Sequence, residues 1–219
     1  HLARLWRRPS ARWRQLPLDG APRLVIHGRR PARAFATLGV ERVTTLRSSV
    51  RARGPSVGGY LLGCLHAALV PFFAHDGAAL WVVPVNLRGN VTRRRSLANH
   101  ISFVPIRLRA NDGPTEASRR LRVCLDRGSH WALYAAAYAA ATVTGASLPV
   151  AALADASRGR SVGLFSNLGA WEVRGLTEAT RWVFGPPVAR FLPLSAGVVT
   201  VNGSLGLMLQ AYPSLTMDD

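Results

Sequence analysis

The amino-acid sequence predicts a mixed α/β fold, and three observations support that prediction. Strand-like and helix-like segments alternate along the chain without an internal repeat. An apolar segment, 57–70, follows the helix-start signal Gly54-Pro55-Ser56. Near the end of the chain, Asn202-Gly203 separates two stretches of alternating hydrophobicity, which predicts a hairpin with a type I′ turn. A chain of 219 residues, 48% of them hydrophobic, can also bury a sizeable core.

The chain opens with an arginine- and proline-rich stretch, 1–30, typical of a helix end followed by an extended linker. A short strand is expected at 33–38. Apolar residues at helical spacing predict a helix over 41–53. The helix at 57–70 is apolar nearly all round, so we expect it to be buried, with Cys64 in the core.

Two strands are predicted in the middle of the chain, at 80–88 and 99–109. Pro84 cannot donate to a ladder, so it indicates an edge strand or a bulge. A helix over 115–127 should end at Gly128.

The stretch 131–154 has no charged residue and is long enough to span a bilayer, but it is mostly alanine. We expect two buried helices there, with a break near 145–149. A strand at 161–166 precedes the hairpin formed by 197–201 and 204–210.

The net charge of +17 comes from arginine, because the chain contains no lysine. A GC-rich genome would favour arginine codons; alternatively, the charge serves an anionic partner such as nucleotide phosphates, an acyl carrier or anionic lipid. The charge alone would also fit a nucleic-acid-binding domain. That reading is disfavoured because aromatic residues do not interleave with the basic runs.

The two cysteines, Cys64 and Cys124, form neither a disulfide framework nor a metal-binding spacing. We therefore expect a reducing cytoplasmic location and no metal. The amino terminus lacks the apolar region of a secretory signal. Because His1 is not an initiator methionine, we expect the chain to begin inside a larger protein or to have been trimmed.

Short motifs follow one another in a familiar order. Pro84-Val-Asn-Leu-Arg88 precedes Asn99-x-x-Ser102, then Ser166-Asn-Leu-Gly169, then a hairpin that ends at Tyr212-Pro213. This order resembles the carboxyl-terminal half of condensation-domain-like acyltransferases, the group that includes wax ester synthase/diacylglycerol acyltransferases and polyketide-associated acyltransferases. The resemblance runs from about residue 31 to 212. It implies one chloramphenicol acetyltransferase-like lobe, with a mixed β-sheet covered by helices and a C-terminal β-hairpin, over 33–219. Residues 1–32 would be the interlobe linker.

Members of that group have two similar lobes with a tunnel between them, and a His-His-x-x-x-Asp-Gly motif in the first lobe supplies the general base. This chain lacks that motif, and His75-Asp-Gly77 does not have its spacing. His100 is expected to be structural. Where wax ester synthases have an Asn-Asp pair near the start of the buried helix, this chain has Gly58-Gly59.

The resemblance also suggests which residues meet the substrates. The expected tunnel residues are Asn86, Arg88, Asn99, Ser102, Ser166, Asn167 and Gly169. Arg93, Arg94 and Arg95 would contact phosphates of coenzyme A or an acidic carrier, or would form a solvated loop. The catalytic residues would lie in the other lobe. Because that lobe would cover an apolar surface, we expect exposed side chains among Val85, Leu87, Phe165 and Leu168.

The implied function is that of a carboxyl-terminal lobe of a thioester-dependent O-acyltransferase. The co-substrate would be a coenzyme A or phosphopantetheine thioester, and the acceptor a lipid or polyketide alcohol. The implied partners are an N-terminal catalytic lobe, acyl-CoA or an acyl carrier protein, and, peripherally, a membrane. The alternative is a non-catalytic lobe that binds an acyl chain or a protein partner. Glycine-rich phosphate loops, zinc-type cysteine–histidine spacing and a Gly-x-Ser-x-Gly nucleophile elbow are absent from the sequence.

Overall fold

The computed structural model describes residues 32–72, 78–87, 101–144, 161–176, 180–188 and 192–211. Its six strands are β1 (Ala32–Leu38), β2 (Ala79–Asn86), β3 (Ile101–Leu108), β4 (Ser161–Trp171), β5 (Leu194–Val201) and β6 (Ser204–Ala211). Its four α-helices are α1 (Val40–Ala52), α2 (Val57–Leu69), α3 (Pro114–Asp126) and α4 (Ser129–Thr144). A short 3₁₀ turn, Val70–Phe72, follows α2.

The strands form one mixed sheet in the order β1-β6-β5-β4-β2-β3. The β2/β4 and β4/β5 pairs are parallel, whereas the β2/β3, β5/β6 and β1/β6 pairs are antiparallel. The predicted hairpin is confirmed: Asn202 and Gly203 connect β5 to β6, and both have positive φ, 47° and 79°, as a type I′ turn requires.

The helices pack against one face of the sheet and enclose the core. Strands β2 to β6 supply buried residues to that core, among them Trp81, Ile106, Phe165 and Val198. Helices α2 and α3 lie very close together at Gly59, where a Cβ atom would be 2.6 Å from the Cα of Ser118. Small residues therefore set the spacing of this helix pair.

Helix α2 is buried on one side only, contrary to the sequence prediction. Leu62 and His66 are fully buried, but Cys64 is exposed, so the expectation that Cys64 lies in the core is wrong. A helix that is apolar all round gives no signal of which side its neighbours cover, and here α3 covers the side that carries Gly59 and Gly63.

Pro84 predicted an edge strand or a bulge. Strand β2 lies between β4 and β3, so it is not an edge strand, but its pairing with β4 is irregular. The pairing of β2 with β4 covers only Leu80 to Val82 and contains a register shift at its start. Pro84 lies beyond that pairing, so its missing N–H removes no bond to β4.

The helix predicted at the start of the 131–154 stretch exists as α4, but it is not buried along its length, since Tyr138 is 65% exposed. The second predicted helix and the break before it lie outside the described residues.

On the other face of the sheet, residues 180–188 run across β5 and β6, and we call them the strap. The backbone carbonyls of Trp182 and Phe184 lie directly over Gly206 and Gly197, at the positions a Cβ would take. The Pro186 carbonyl accepts hydrogen bonds from Ser195 Oγ at 2.6 Å and Gln210 Nε2 at 3.0 Å. The strap is thus fixed to the hairpin by two glycine contacts and two buried hydrogen bonds.

Candidate functional site

The parallel strands β2, β4 and β5 end at the same edge of the sheet, which we call the carboxyl edge. In open α/β sheets this is the edge at which ligands usually bind. Asn86 is the last residue of β2 and is exposed, and Asn167 lies toward the end of β4. The structure therefore brings two of the predicted tunnel residues to one edge.

Strand β4 changes course at Asn167. Its register against β5 shifts between Asn167 and Ala170, and Gly169 has a φ of +78°, a conformation that favours glycine. The Gly169 N–H donates to Asn167 Oδ1 at 2.9 Å. Because the amide oxygen of Asn167 accepts this bond within the bulge, its NH₂ group is the part of the amide that can donate to another group.

The Asn167 amide lies beside the amino end of helix α2. Asn167 pairs with Val198, whose side chain belongs to the core under the helices, so Asn167 points toward the helix layer. A Cβ on Gly58 would stand 3.0 Å from Asn167 Nδ2. The absence of a side chain at Gly58 is what allows the amide to come so close to the helix.

The first turn of α2 is held in place by two serines. Ser56 caps the helix by accepting from the Gly59 N–H at 3.2 Å, and the Ser56 N–H donates to Ser118 Oγ at 2.7 Å. The two hydroxyl groups are 3.2 Å apart. The amino end of α2 is therefore a fixed surface against which the Asn167 amide is positioned.

The other described tunnel candidates have different surroundings. Ser102 is buried in β3, and its hydroxyl donates to the His130 carbonyl at 2.5 Å, so it joins β3 to α4. Ser166 is buried, and by strand alternation it points to the face opposite Asn167. Arg88, Asn99, Arg93, Arg94 and Arg95 lie outside the described residues, as do His75 and His100.

The expected apolar surface is present only in part. Leu87 and Phe165 are buried within the chain, at 0% and 1% exposure, so the expectation is wrong for them. Val85 is half-buried, whereas Leu168 is 44% exposed. The exposed surface extends further along β4 than predicted, to Trp171 at 57%.

A cavity of about 440 Å³ lies at the tip of the β5–β6 hairpin. Its lining comes from the start of helix α1, the segment after β4, the strap and the hairpin, namely Gly39, Val40, Leu176, Thr180, Arg181, Val201, Asn202 and Ser204. None of the five tunnel candidates within the described residues lines it. Sequence reasoning identified the Asn202 turn, but nothing local marks Thr180 or Arg181 as neighbours of that turn.

The two described histidines, His66 and His130, are both buried. His66 Nε2 lies 2.8 Å from the Arg109 carbonyl, and Trp81 Nε1 donates to His66 Nδ1 at 3.3 Å, which places the His66 proton on Nε2. Burial lowers the pKa of His66 below its usual value, and it does the same for His130. Both ring nitrogens of His66 are engaged in these contacts, whereas Nδ1 of His130 has no hydrogen-bond partner among the described residues.

The described residues contain no group of three histidine, cysteine or acidic side chains that could hold a metal ion. Within the same residues no single helix is long and apolar enough to cross a membrane. Helices α1 and α2 with the 3₁₀ turn would pass together by length and composition, but they are bent by 100°.

Solved structures share this architecture. A structure of the nonribosomal peptide synthetase FmoA3 matches 99% of this chain and 23% of its own, with a TM-score of 0.63 and 18% identity. The epimerization domain from the third module of tyrocidine synthetase B matches over 95% of this chain and 50% of its own, with a TM-score of 0.61 and 17% identity. The trichothecene 15-O-acetyltransferase of Fusarium sporotrichioides matches over 85% and 44%, with a TM-score of 0.53 and 12% identity.

These similarities establish the class of fold. The chain has a condensation-domain-like fold and forms one chloramphenicol acetyltransferase-like lobe. It spans half or less of each of these solved chains. No protein-family model and no curated protein sequence matches it.

Proposed function

We propose that this lobe is the carboxyl-terminal part of a thioester-dependent O-acyltransferase. It supplies a wall of the substrate tunnel and a surface for the acyl donor, while a first lobe carrying His-His-x-x-x-Asp-Gly supplies the general base. The fold and the position of Asn86 and Asn167 at the carboxyl edge support this proposal.

The observation that carries the proposal is the end of strand β4. On either side of the bulge at Gly169, the strand presents Leu168 and Trp171 to solvent near the Asn167 amide. Large apolar side chains that protrude next to a positioned polar group are typical of a surface that another domain covers. A first lobe that covers this end of β4 would form the second wall of a tunnel.

Within this arrangement Asn167 is the residue of the described chain best placed to contact a substrate. Its NH₂ group is a hydrogen-bond donor held between the β4 bulge and the first turn of α2. A donor in that position suits a carbonyl or hydroxyl oxygen in the tunnel. Arg88, Asn99 and the Arg93–Arg95 run remain proposals drawn from the sequence.

The donor we propose is a coenzyme A or carrier-bound phosphopantetheine thioester, and the acceptor is the alcohol of a lipid or polyketide. The reaction would take place in the cytoplasm, with peripheral attachment to a membrane for a lipid acceptor. The second candidate is a lobe that binds an acyl chain or a protein partner without catalysis. The burial of His66 and His130, the only histidines in the described part, favours this candidate for the chain by itself.

The test is reconstitution. The chain is mixed with a first lobe that carries His-His-x-x-x-Asp-Gly, and ester formation from a long-chain acyl thioester and a long-chain alcohol is measured. We expect no turnover by the chain alone and measurable transfer by the mixture. Asn167→Ala should then lower kcat/KM by about tenfold, as expected for loss of one hydrogen bond to a reacting substrate.

The matched pair of variants for the interface is Trp171→Ala and Phe35→Ala. Both remove an exposed aromatic side chain, but Phe35 lies on β1, separated from β4 by β6 and β5. Trp171→Ala should weaken association of the two lobes, and Phe35→Ala should not. Acyl transfer by the isolated chain would contradict the assignment of the general base to the first lobe. Equal effects of the two variants on lobe association would show that the end of β4 is not the interface.

A further inference from the structure

Three arginines surround the turn between helices α1 and α2. Arg51 is in the last turn of α1, Arg53 caps it, and Arg122 reaches the turn from α3. The Gly54 N–H donates to the Arg51 carbonyl at 3.1 Å, and Arg122 Nη2 donates to the Gly54 carbonyl at 2.7 Å. One residue, Gly54, therefore holds the backbone of α1 and the guanidinium of α3 together.

We call Arg51, Arg53 and Arg122 the arginine triad. All three side chains are exposed. The ion pairs of the described part use other residues: Arg119 and Arg120 pair with Glu116, and Arg120 also pairs with Asp112. Asp126, one turn beyond Arg122 on α3, forms no ion pair with it. No described carboxylate therefore forms an ion pair with any of the three arginines.

The chemistry of the triad suits phosphate. Guanidinium groups bind phosphate oxygens in a bidentate manner, and several of them together match a monoester dianion or a diphosphate. The Arg122 side chain is already fixed by its bond to Gly54, so less conformational freedom is lost when an anion binds. A duplex nucleic acid fits less well, because three adjacent cations cover few of the phosphates on which such binding depends.

We propose that the arginine triad binds the phosphate groups of a small phosphorylated ligand. The first turn of α2, against which Asn167 is positioned, begins two residues after Gly54. A ligand whose phosphates lie on the triad is therefore anchored beside the helix end that adjoins the candidate site. If the proposed acyltransfer is right, the nucleotide end of an acyl-coenzyme A is one such ligand, and that identification rests on the proposed function.

The experiment uses the purified chain and isothermal titration calorimetry, with inorganic pyrophosphate, coenzyme A, dephospho-coenzyme A and pantetheine as probes. Pantetheine has no phosphate, and dephospho-coenzyme A lacks only the 3′-phosphate monoester. We expect pyrophosphate and coenzyme A to bind, and pantetheine to bind at least tenfold more weakly. Arg51→Gln combined with Arg122→Gln should weaken coenzyme A binding by about tenfold or more.

The matched control is Arg42→Gln, which removes an exposed arginine near the other end of α1, nine residues or roughly 13 Å from Arg51. It changes the net charge as one triad substitution does, and it should leave binding unchanged. Asp126→Asn, which removes a nearby negative charge, should strengthen binding.

Three results would overturn the proposal. The first is equal affinity for pantetheine and coenzyme A, and the second is equal weakening of coenzyme A binding by Arg42→Gln and by a single triad substitution. The third is displacement of coenzyme A by a duplex oligonucleotide whose binding has the steep salt dependence of many phosphate contacts. In the reconstituted enzyme, transfer from an acyl thioester of N-acetylcysteamine, which has no phosphate, tests the proposed function separately. Failure of that transfer would leave the binding comparison intact.

Discussion

Asn202 holds the backbone of Val173 with both ends of its side-chain amide. Asn202 Oδ1 accepts from the Val173 N–H at 2.8 Å, and Asn202 Nδ2 donates to the Val173 carbonyl at 2.9 Å. The Asn202 N–H also donates to the Trp171 carbonyl at 2.9 Å. The hairpin turn thus fixes the chain that leaves β4, so the position of the exposed Trp171 depends on a residue thirty-one positions further along.

The first prediction concerns this amide. Asn202→Ala removes two hydrogen bonds and places alanine at a positive φ, so we expect a loss of about 1–3 kcal/mol in the free energy of unfolding, measured by urea denaturation. Asn202→Gly removes the same two bonds without the backbone cost and should lose less. If the alanine and glycine variants are equally stable, backbone conformation is not part of the effect.

The second prediction compares neighbouring glycines in α2. Gly59→Ala places a Cβ 2.6 Å from the Ser118 Cα, which forces α2 and α3 apart and should cost about 1–3 kcal/mol. Gly58→Ala meets only the end of the Asn167 side chain, at 3.0 Å, which can shift. Since alanine favours the helix by about 0.5–1 kcal/mol, Gly58→Ala should be neutral or stabilising.

The same pair of variants separates stability from function. Gly58→Ala should reduce transfer in the reconstituted enzyme because it displaces the Asn167 amide, while the thermal midpoint stays near that of the unmodified chain. Unchanged transfer together with unchanged stability would argue against a role for Asn167 in the tunnel.

The third prediction concerns pH. Because burial holds the pKa of His66 below 6.5 in the folded chain, the unfolded state takes up a proton first as the pH falls. Stability should therefore be greatest above about pH 6.5 and should decrease as the pH is lowered below that value. His130 acts in the same direction. Urea denaturation between pH 7.5 and 5.5 measures the slope, and His66→Gln should make it shallower.

Trp81→Phe is the companion variant for the buried histidine. It removes the N–H that donates to His66 Nδ1 at 3.3 Å while retaining an aromatic ring in the core. An acceptor left unsatisfied in the core costs about 1–3 kcal/mol, so this variant should be destabilised at neutral pH. Stability equal to that of the unmodified chain would show that the bond contributes nothing.

The fourth prediction concerns the serine pair at the start of α2. Ser118→Ala leaves the Ser56 N–H without its partner at 2.7 Å, so we expect a loss of about 1 kcal/mol or more. Ser118→Thr retains the hydroxyl and separates the hydrogen bond from packing against Gly59. If Ser118→Ala is more stable than Ser118→Thr, the hydrogen bond from the Ser56 N–H to Ser118 Oγ does not stabilise the fold.

Local patterns predicted the elements of this lobe well, and long-range pairing was beyond them. The hairpin at Asn202-Gly203 follows from two residues whose turn conformation is intrinsic. The interior position of β2 depends on a parallel pairing with β4, roughly eighty residues away, and no local signal specifies it. Pro84 therefore predicted an edge strand or a bulge, without indicating that β4 pairs with the first part of β2.

Exposure at the candidate site was predictable only where the backbone stays regular. Phe165 is buried because β4 still pairs within the sheet there, whereas Leu168 is exposed because the bulge at Gly169 follows it at once. A bulge is set by tertiary contacts rather than by propensity. The approach of Asn167 to Gly58 was likewise hidden, since it joins two segments more than one hundred residues apart.

The strap fixes the register of the β5–β6 hairpin. Its carbonyls occupy the space above Gly197 and Gly206, so sliding either strand by two residues would bring Val199 or Met208, or another side chain of that face, under a backbone oxygen. Only one alignment of the hairpin places a glycine under each of the two strap carbonyls. This alignment also places Val201 and Ser204 at the cavity at the hairpin tip. Gly197 and Gly206 therefore determine which side chains line that cavity.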